Sequence, residues 1–142
     1  MADRHSNEQR SYNMSKVRSK DTKPEMIVRR FLFSGGFRYR LHDKNLPGKP
    51  DIVLSKYKTV IFVNGCFWHG HEDCQYAAIP KTRTAWWDAK IKKNVYNDEA
   101  AWTRLKNEGW NVIVIWGCGL KKEIEADTLN NVARMIKLDL LK

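Results

Sequence analysis

The sequence predicts an α/β fold, one domain built on a mixed sheet flanked by helices. Three observations carry this. Segments of helical and strand period follow one another in the order αβββαβα. Two of the strands, TVIFVN (59–64) and NVIVIWG (111–117), are almost wholly apolar, as strands covered on both faces must be. The chain has 142 residues, 42% of them hydrophobic, enough to fold and bury a core as a single unit.

Residues 1–20 lack a sustained apolar stripe and are predicted to be a basic N-terminal arm, with 21–142 forming the one domain. The first long helix lies in DTKPEMIVRRFLFSGG: Thr22 caps it, Pro24 sits early, Glu25 completes a Thr-x-x-Glu capping box, and Gly35-Gly36 ends it. FRYRLHD (37–43) alternates as a half-buried strand does, and LPGKP then turns. DIVLS and TVIFVN, separated by KYK, predict an antiparallel hairpin. After a cysteine-rich loop, TAWWDAKIKKNVYNDEAAWTRLKNEG predicts a helix ending at Gly109, the strand at 111–117 follows, and residues 121–141 carry a terminal helix. There is no internal repeat and no low-complexity segment.

Charge narrows the class of partner. Lys and Arg number 26 against 16 Asp and Glu, a net +10, which suits a polyanion and above all nucleic acid. Six tryptophans, some beside basic residues as in TRTAWW (82–87), add surfaces on which bases stack. No run approaches the roughly 18 apolar residues of a membrane span, and the N-terminus has no apolar signal core, so a soluble cytoplasmic protein without membrane partners is expected.

VNGCFWHGHEDC (63–74) concentrates the chemistry. Three cysteines are an odd number for a disulfide framework. Cys66, His71 and Cys74 are spaced C-x4-H-x2-C, and Cys118 ends the strand at 111–117. If the two apolar strands are neighbours, their ends bring Cys118 to the loop, giving the closed Cys3His set of a structural zinc. Spacing leaves His69 open as a ligand in place of His71, and three ordinary buried thiols are the plainer alternative. PGKPD puts Asp51 at the start of the hairpin, where a carboxylate can grip Mg2+ for phosphodiester hydrolysis; Pro-Asp is also a common turn dipeptide.

Taken together, NMSKVRSKDTKPE, LPGKPDIV, VIFVNGCFWHGH, PKTRTAWW, KNVYND and the strand after Gly109 resemble the very-short-patch-repair mismatch endonucleases from about residue 12 to 120. The resemblance implies a restriction-endonuclease-like fold with a structural zinc loop. The implied activity is nicking of one DNA strand beside the T of a T·G mismatch left by 5-methylcytosine deamination. Carried over by position, Asp51 is the Mg2+ carboxylate, His69 the general acid–base and Glu25 an auxiliary acidic residue. Cys66, His71, Cys74 and Cys118 are the Zn2+ ligands. Phe67, Trp68 and Trp87 wedge into the base stack, Met14 approaches from the minor groove, and Lys90 and Asn94 contact the mismatch. Trp86, adjacent on the helix, is assigned to packing.

Two departures from the family pattern stand out. Asn64 occupies a position where well-known members carry a histidine, which reduces its part to at most a positioning hydrogen bond. Glu72 and Asp73 separate His71 from Cys74 where the pattern has one residue, which reshapes the zinc loop slightly. The wider fold family also takes a second acidic residue and a lysine from the strand that here reads VIFVNG, so the resemblance implies a backbone carbonyl near Val63 in the metal shell and His69 in place of the lysine. It further implies double-stranded DNA as partner, a monomer, a nucleoid-associated location in a bacterium and a functional link to a cytosine-5 methyltransferase. The rival readings are a zinc-stabilised DNA-binding module without catalysis and an endonuclease of the same fold with another DNA substrate.

Overall fold

The computed structural model describes residues 22–140. The basic arm expected at 1–20, Met14 included, lies outside the described residues. Helix α1 (Lys23–Ser34) begins where Thr22 Oγ accepts the Glu25 N–H at 3.4 Å, with Pro24 in the first turn, where a missing N–H costs nothing. It stops where Gly36 takes a left-handed φ of 88°. Strands β1 (Arg40–Leu41), β2 (Ile52–Leu54), β3 (Thr59–Asn64) and β4 (Asn111–Trp116) form one sheet in that order. The first two pairings are antiparallel and β3 runs parallel to β4. Helix α2 (Thr84–Asn107) makes the crossover between β3 and β4, and α3 (Glu125–Leu140) closes the chain's described part. None of these helices is long and apolar enough to cross a membrane.

The sheet sorts its residues by the two-residue period of a strand. Ile52, Leu54, Ile61, Ile113 and Ile115 join Val28 and Leu32 of α1 and Leu129, Val132 and Ile136 of α3 in one core. The alternate positions Val53, Val60 and Phe62 meet Leu105 of α2, with Trp102, Val112 and Val114 packed against them. Each fully buried Leu or Ile contributes about 1.5–3 kcal/mol through removal of apolar surface from water. Helices on both faces therefore make β3 an interior strand, as its apolar sequence requires.

Strand β1 is shorter than its alternating sequence suggests. Phe37 turns into the core, and His42 enters the left-handed region at φ 49°, which ends the ladder after Leu41. The terminal helix starts at Glu125 rather than 121, and Ile124 and Met135 of its apolar set are exposed.

The loop after β3 lies on α2 through Gly70. This residue has φ +59°, and a Cβ there would stand 2.8 Å from Ile91 Cγ2 and from Val95 Cγ2. Gly70→Ala is therefore expected to cost roughly 2–4 kcal/mol, the sum of left-handed strain and overpacking. Urea denaturation measures it, and unchanged stability would show that the loop is not pinned to the helix.

Candidate active site and metal centre

Asp51 stands immediately before β2, at the end of the sheet where β3 finishes. Its backbone carbonyl accepts the His42 N–H at 3.2 Å, and its Oδ2 accepts the Val63 N–H at 2.7 Å. Glu25, from the first turn of α1, reaches the same corner, so that Glu25, His42 and Asp51 each bring one donor atom within 4.8 Å of the others. Glu25 is only 2% exposed. The capping box is thus made in its Thr22 half, while the Glu25 carboxylate turns inward to pair with Arg29 and to lie 3.0 Å from His42 Nε2. Arg29 offsets the charge that burial makes costly. Burial pushes the Asp51 carboxyl up from 3.8 to about 6; the Val63 N–H opposes the shift, and the neighbouring Glu25 charge adds to it.

The cysteine-rich loop forms a second cluster. Donor atoms of Cys66, His71, Cys74 and Cys118 all lie within 4.8 Å of one another. The His71 ring stacks on Trp116 at 4.1 Å and 9°, which turns its Nδ1 to within 3.5 Å of Cys118 Sγ. The Cys118 N–H donates to Cys66 Sγ at 3.4 Å. Burial and the crowding of Cys66 and Cys74 push the Cys118 thiol up to about 11. At Cys74 desolvation also opposes ionisation, but the backbone N–H of Tyr76 and the Cys66 and Cys118 thiols hydrogen bond its sulfur and bring it below the ordinary value. Three sulfurs packed together, with one imidazole among them, fit a soft or borderline cation that would neutralise their thiolates. Between His71 and Cys74 the chain turns at Asp73, which takes φ 55°, a conformation Asp tolerates, while His71 and Cys74 both stay in the cluster.

The two histidines of the loop part company. His71 faces the sulfurs, whereas His69 Nδ1 lies 2.7 Å from Asp98 Oδ2 of α2. That contact puts the proton on Nδ1 when the ring is neutral and leaves Nε2 as its acceptor. Phe67, Trp68 and Trp87 form a mutual aromatic cluster with centroids 5.2 to 5.7 Å apart. Asn94 Nδ2 donates to the Trp68 carbonyl at 2.9 Å, so in this structure Asn94 braces the loop, and Lys90 is exposed nearby on the same helix.

The packing assignment for Trp86 needs correction. It is 48% exposed, with the Arg83 guanidinium 4.8 Å over its ring and the Trp87 ring against it at 4.7 Å. Asn64 is buried, and its Nδ2 meets no acceptor among the described residues, so that atom makes no positioning hydrogen bond. Val63 offers its N–H to Asp51 and stands opposite Ile115 in the parallel ladder.

Three residues escaped the sequence reading: His42, Arg29 and Asp98. Asp98 had a faint signal, since it stands four residues after Asn94 and so on the same face of a helix. Arg29 stands four after Glu25 in the same way.

The sequence pattern of the family described as DNA mismatch endonuclease Vsr matches residues 2–76. A type II nicking enzyme of Neisseria meningitidis, V.NmeAIP, is 52% identical over 138 residues, spanning 96% of this chain and 98% of its own length. The type II nicking enzyme V.XorIIP of Xanthomonas oryzae is 50% identical, over 84% of this chain and 88% of its own. The DNA mismatch endonuclease Vsr of Escherichia coli is 42% identical, over 85% of this chain and 77% of its own.

The raised Asp51 value has a consequence for stability. A folded-state pKa above the unfolded one means that the fold favours the protonated carboxyl, so stability present below pH 3.8 is lost as pH rises through about 6. The difference corresponds to roughly 3 kcal/mol. Asp51→Asn should therefore be more stable than the parent by up to that amount at pH 8 without divalent cations, and equal to it near pH 3.5. Denaturation at the two pH values checks this; a variant less stable at pH 8 would refute it.

Proposed function

The chain belongs to the DNA mismatch endonuclease Vsr family, and from that premise we propose that it nicks one strand of double-stranded DNA beside the T of a T·G mismatch, with Mg2+ at Asp51. The observation that carries the reading is the carboxylate corner at the start of β2, which holds three possible cation donors, Glu25, His42 and Asp51, brought together from three successive elements. Buried, mutually repelling carboxylates are a site for a cation. A divalent cation bound there would polarise a phosphate oxygen and stabilise the leaving 3′-oxygen.

The chain's own side chains account for the remaining steps. His69, oriented by Asp98, takes a proton at Nε2 from the attacking water and returns it as a general acid. The basic surface supplies phosphate contacts without sequence preference. Phe67, Trp68 and Trp87 enter the base stack, where unstacking costs a few kcal/mol per step and a wobble pair yields more readily than a matched one. Lys90 and Asn94 lie on the same helix for contacts to the mismatch. Cys66, His71, Cys74 and Cys118 hold Zn2+; this closed set has no open position and keeps the loop in shape. A monomer acting after a cytosine-5 methyltransferase completes the reading.

Nicking of matched and T·G duplexes is the direct test. The T·G strand should be cut in the presence of Mg2+ and the matched duplex spared. Asp51→Ala and His69→Ala should each lower the rate by at least about 100-fold, the scale of lost acid–base or metal chemistry, while duplex binding persists. Equal cutting of both duplexes would remove the mismatch assignment. Zinc content of His69→Ala should match the parent.

Protein purified without chelator should carry one zinc per chain by elemental analysis. Cys118→Ala opens the cage and should lose that metal together with several degrees of melting temperature. Full zinc retention by this variant would remove Cys118 from the ligand set.

A further inference from the structure

We propose that His42 is a nitrogen ligand, through Nδ1, of the divalent cation held by Asp51, with the buried Glu25 carboxylate orienting its ring. The inference rests on the reading of Asp51 as a cation ligand and deepens it.

The backbone is the first support. His42 holds φ 49° immediately after β1, one of five described non-glycine residues with positive φ. Such a conformation is strained for a residue with a Cβ and persists where the surroundings impose it. Here the His42 N–H is tied to the Asp51 carbonyl at 3.2 Å, so imidazole and carboxylate ride on adjacent strands into one corner.

Side-chain geometry is the second. Nε2 lies 3.0 Å from Glu25 Oε2, and Nδ1 faces Asp51 Oδ1 at 4.0 Å. The latter is too long for a hydrogen bond. It falls within the span of two donors on one cation, since metal bonds of about 2.0–2.1 Å put donors at most about 4.2 Å apart. A ring N–H given to a carboxylate is the usual partner of a metal-ligating histidine, and it presents the opposite nitrogen as the donor. Glu25 is thereby a positioning residue.

Arg29 presses the opposite case. Its Nη2 lies 2.9 Å from His42 Nε2, and a guanidinium only donates. If it donates to Nε2, the proton sits on Nδ1 and Asp51 faces a donor instead of a ligand. Arg29, however, already has Glu25 as a charged acceptor and the Met26 sulfur at 3.2 Å. The carboxylate, as the stronger acceptor, takes both the guanidinium and the imidazole N–H.

A nitrogen donor changes which cation the corner holds best. An all-oxygen set suits Mg2+, and adding imidazole shifts preference toward Mn2+ and later first-row ions.

The test uses zinc-loaded protein, alone and bound to a T·G duplex, titrated with Mn2+ and Mg2+. Electron spin-echo modulation reads nitrogen bound to Mn2+. Expected are a nitrogen signal in the parent and in His69→Ala, and its loss in His42→Asn and His42→Gln. Asn tolerates the left-handed backbone, and melting temperature identifies any variant that fails to fold. Mn2+ affinity should fall about tenfold or more in both His42 variants, and Mg2+ affinity by less. Mn2+ that binds through Asp51, as shown by its loss in Asp51→Asn, but carries no nitrogen signal or keeps it in both His42 variants, overturns the inference and leaves the carboxylate site standing. Unchanged Mn2+ binding in Asp51→Asn, or no site-bound Mn2+ in the parent, overturns both.

Discussion

Parallel pairing of β3 with β4 sets Asn64 opposite Trp116, so that the chain leaves the sheet twice at the same end. Cys66 follows two residues after Asn64 and Cys118 two residues after Trp116. Matched exits put the third sulfur beside the other three donors although 44 positions of sequence separate Cys74 from Cys118. The same register stacks His71 on Trp116 itself. A parallel pair needs a crossover, and here the crossover is α2, which carries Trp87, Asn94 and Asp98 back over the loop. A slip of one residue would send every alternate side chain to the wrong face and part the exits together.

The opposite edge of β3 does different work. Asp51 borrows the Val63 N–H, and Glu25 arrives from α1, which packs in the core beneath the sheet. A buried and a half-buried carboxylate in one corner oppose folding, and Arg29 relieves only the one it touches. The hydrophobic layers on both sides of the sheet hold the corner against that opposition. The corner is thus held by packing that has no chemical role, and a cation bound there would relieve the repulsion.

Local signals made the elements legible. The Thr22 cap, the glycines at 35–36 and 109, and the apolar strands each act within a few residues, and each element they predict is present. The meeting of Cys118 with the loop was legible too, because both cysteines sit at strand ends. His42 was not. Its position depends on a left-handed backbone that breaks the alternation of FRYRLHD, and its partners Glu25 and Asp51 come from other elements. Trp86 misled for the reverse reason: a helix period shows that neighbouring tryptophans diverge, but only the extent of the sheet beneath tells which one reaches solvent.

Helix α2 meets the loop residue by residue. Trp87 touches Phe67 and Trp68, Asn94 holds the Trp68 carbonyl, Ile91 and Val95 press on Gly70, and Asp98 holds His69. The aromatic cluster and the His69 imidazole are therefore parts of one braced segment, with Trp68 and His69 adjacent in sequence. If that cluster enters a base stack, the resistance of the stack is felt by a loop fixed to a helix and to a sulfur cluster, and the DNA deforms instead of the protein. A stack that costs more to open would then hold the braced segment away, and His69 with it, so that tolerance of the wedge and access of His69 to the phosphate would become a single condition. Part of the discrimination in such an arrangement would then come from how stiffly Gly70, Asn94 and Asp98 tie the loop to α2, beside any direct contact to the mismatch.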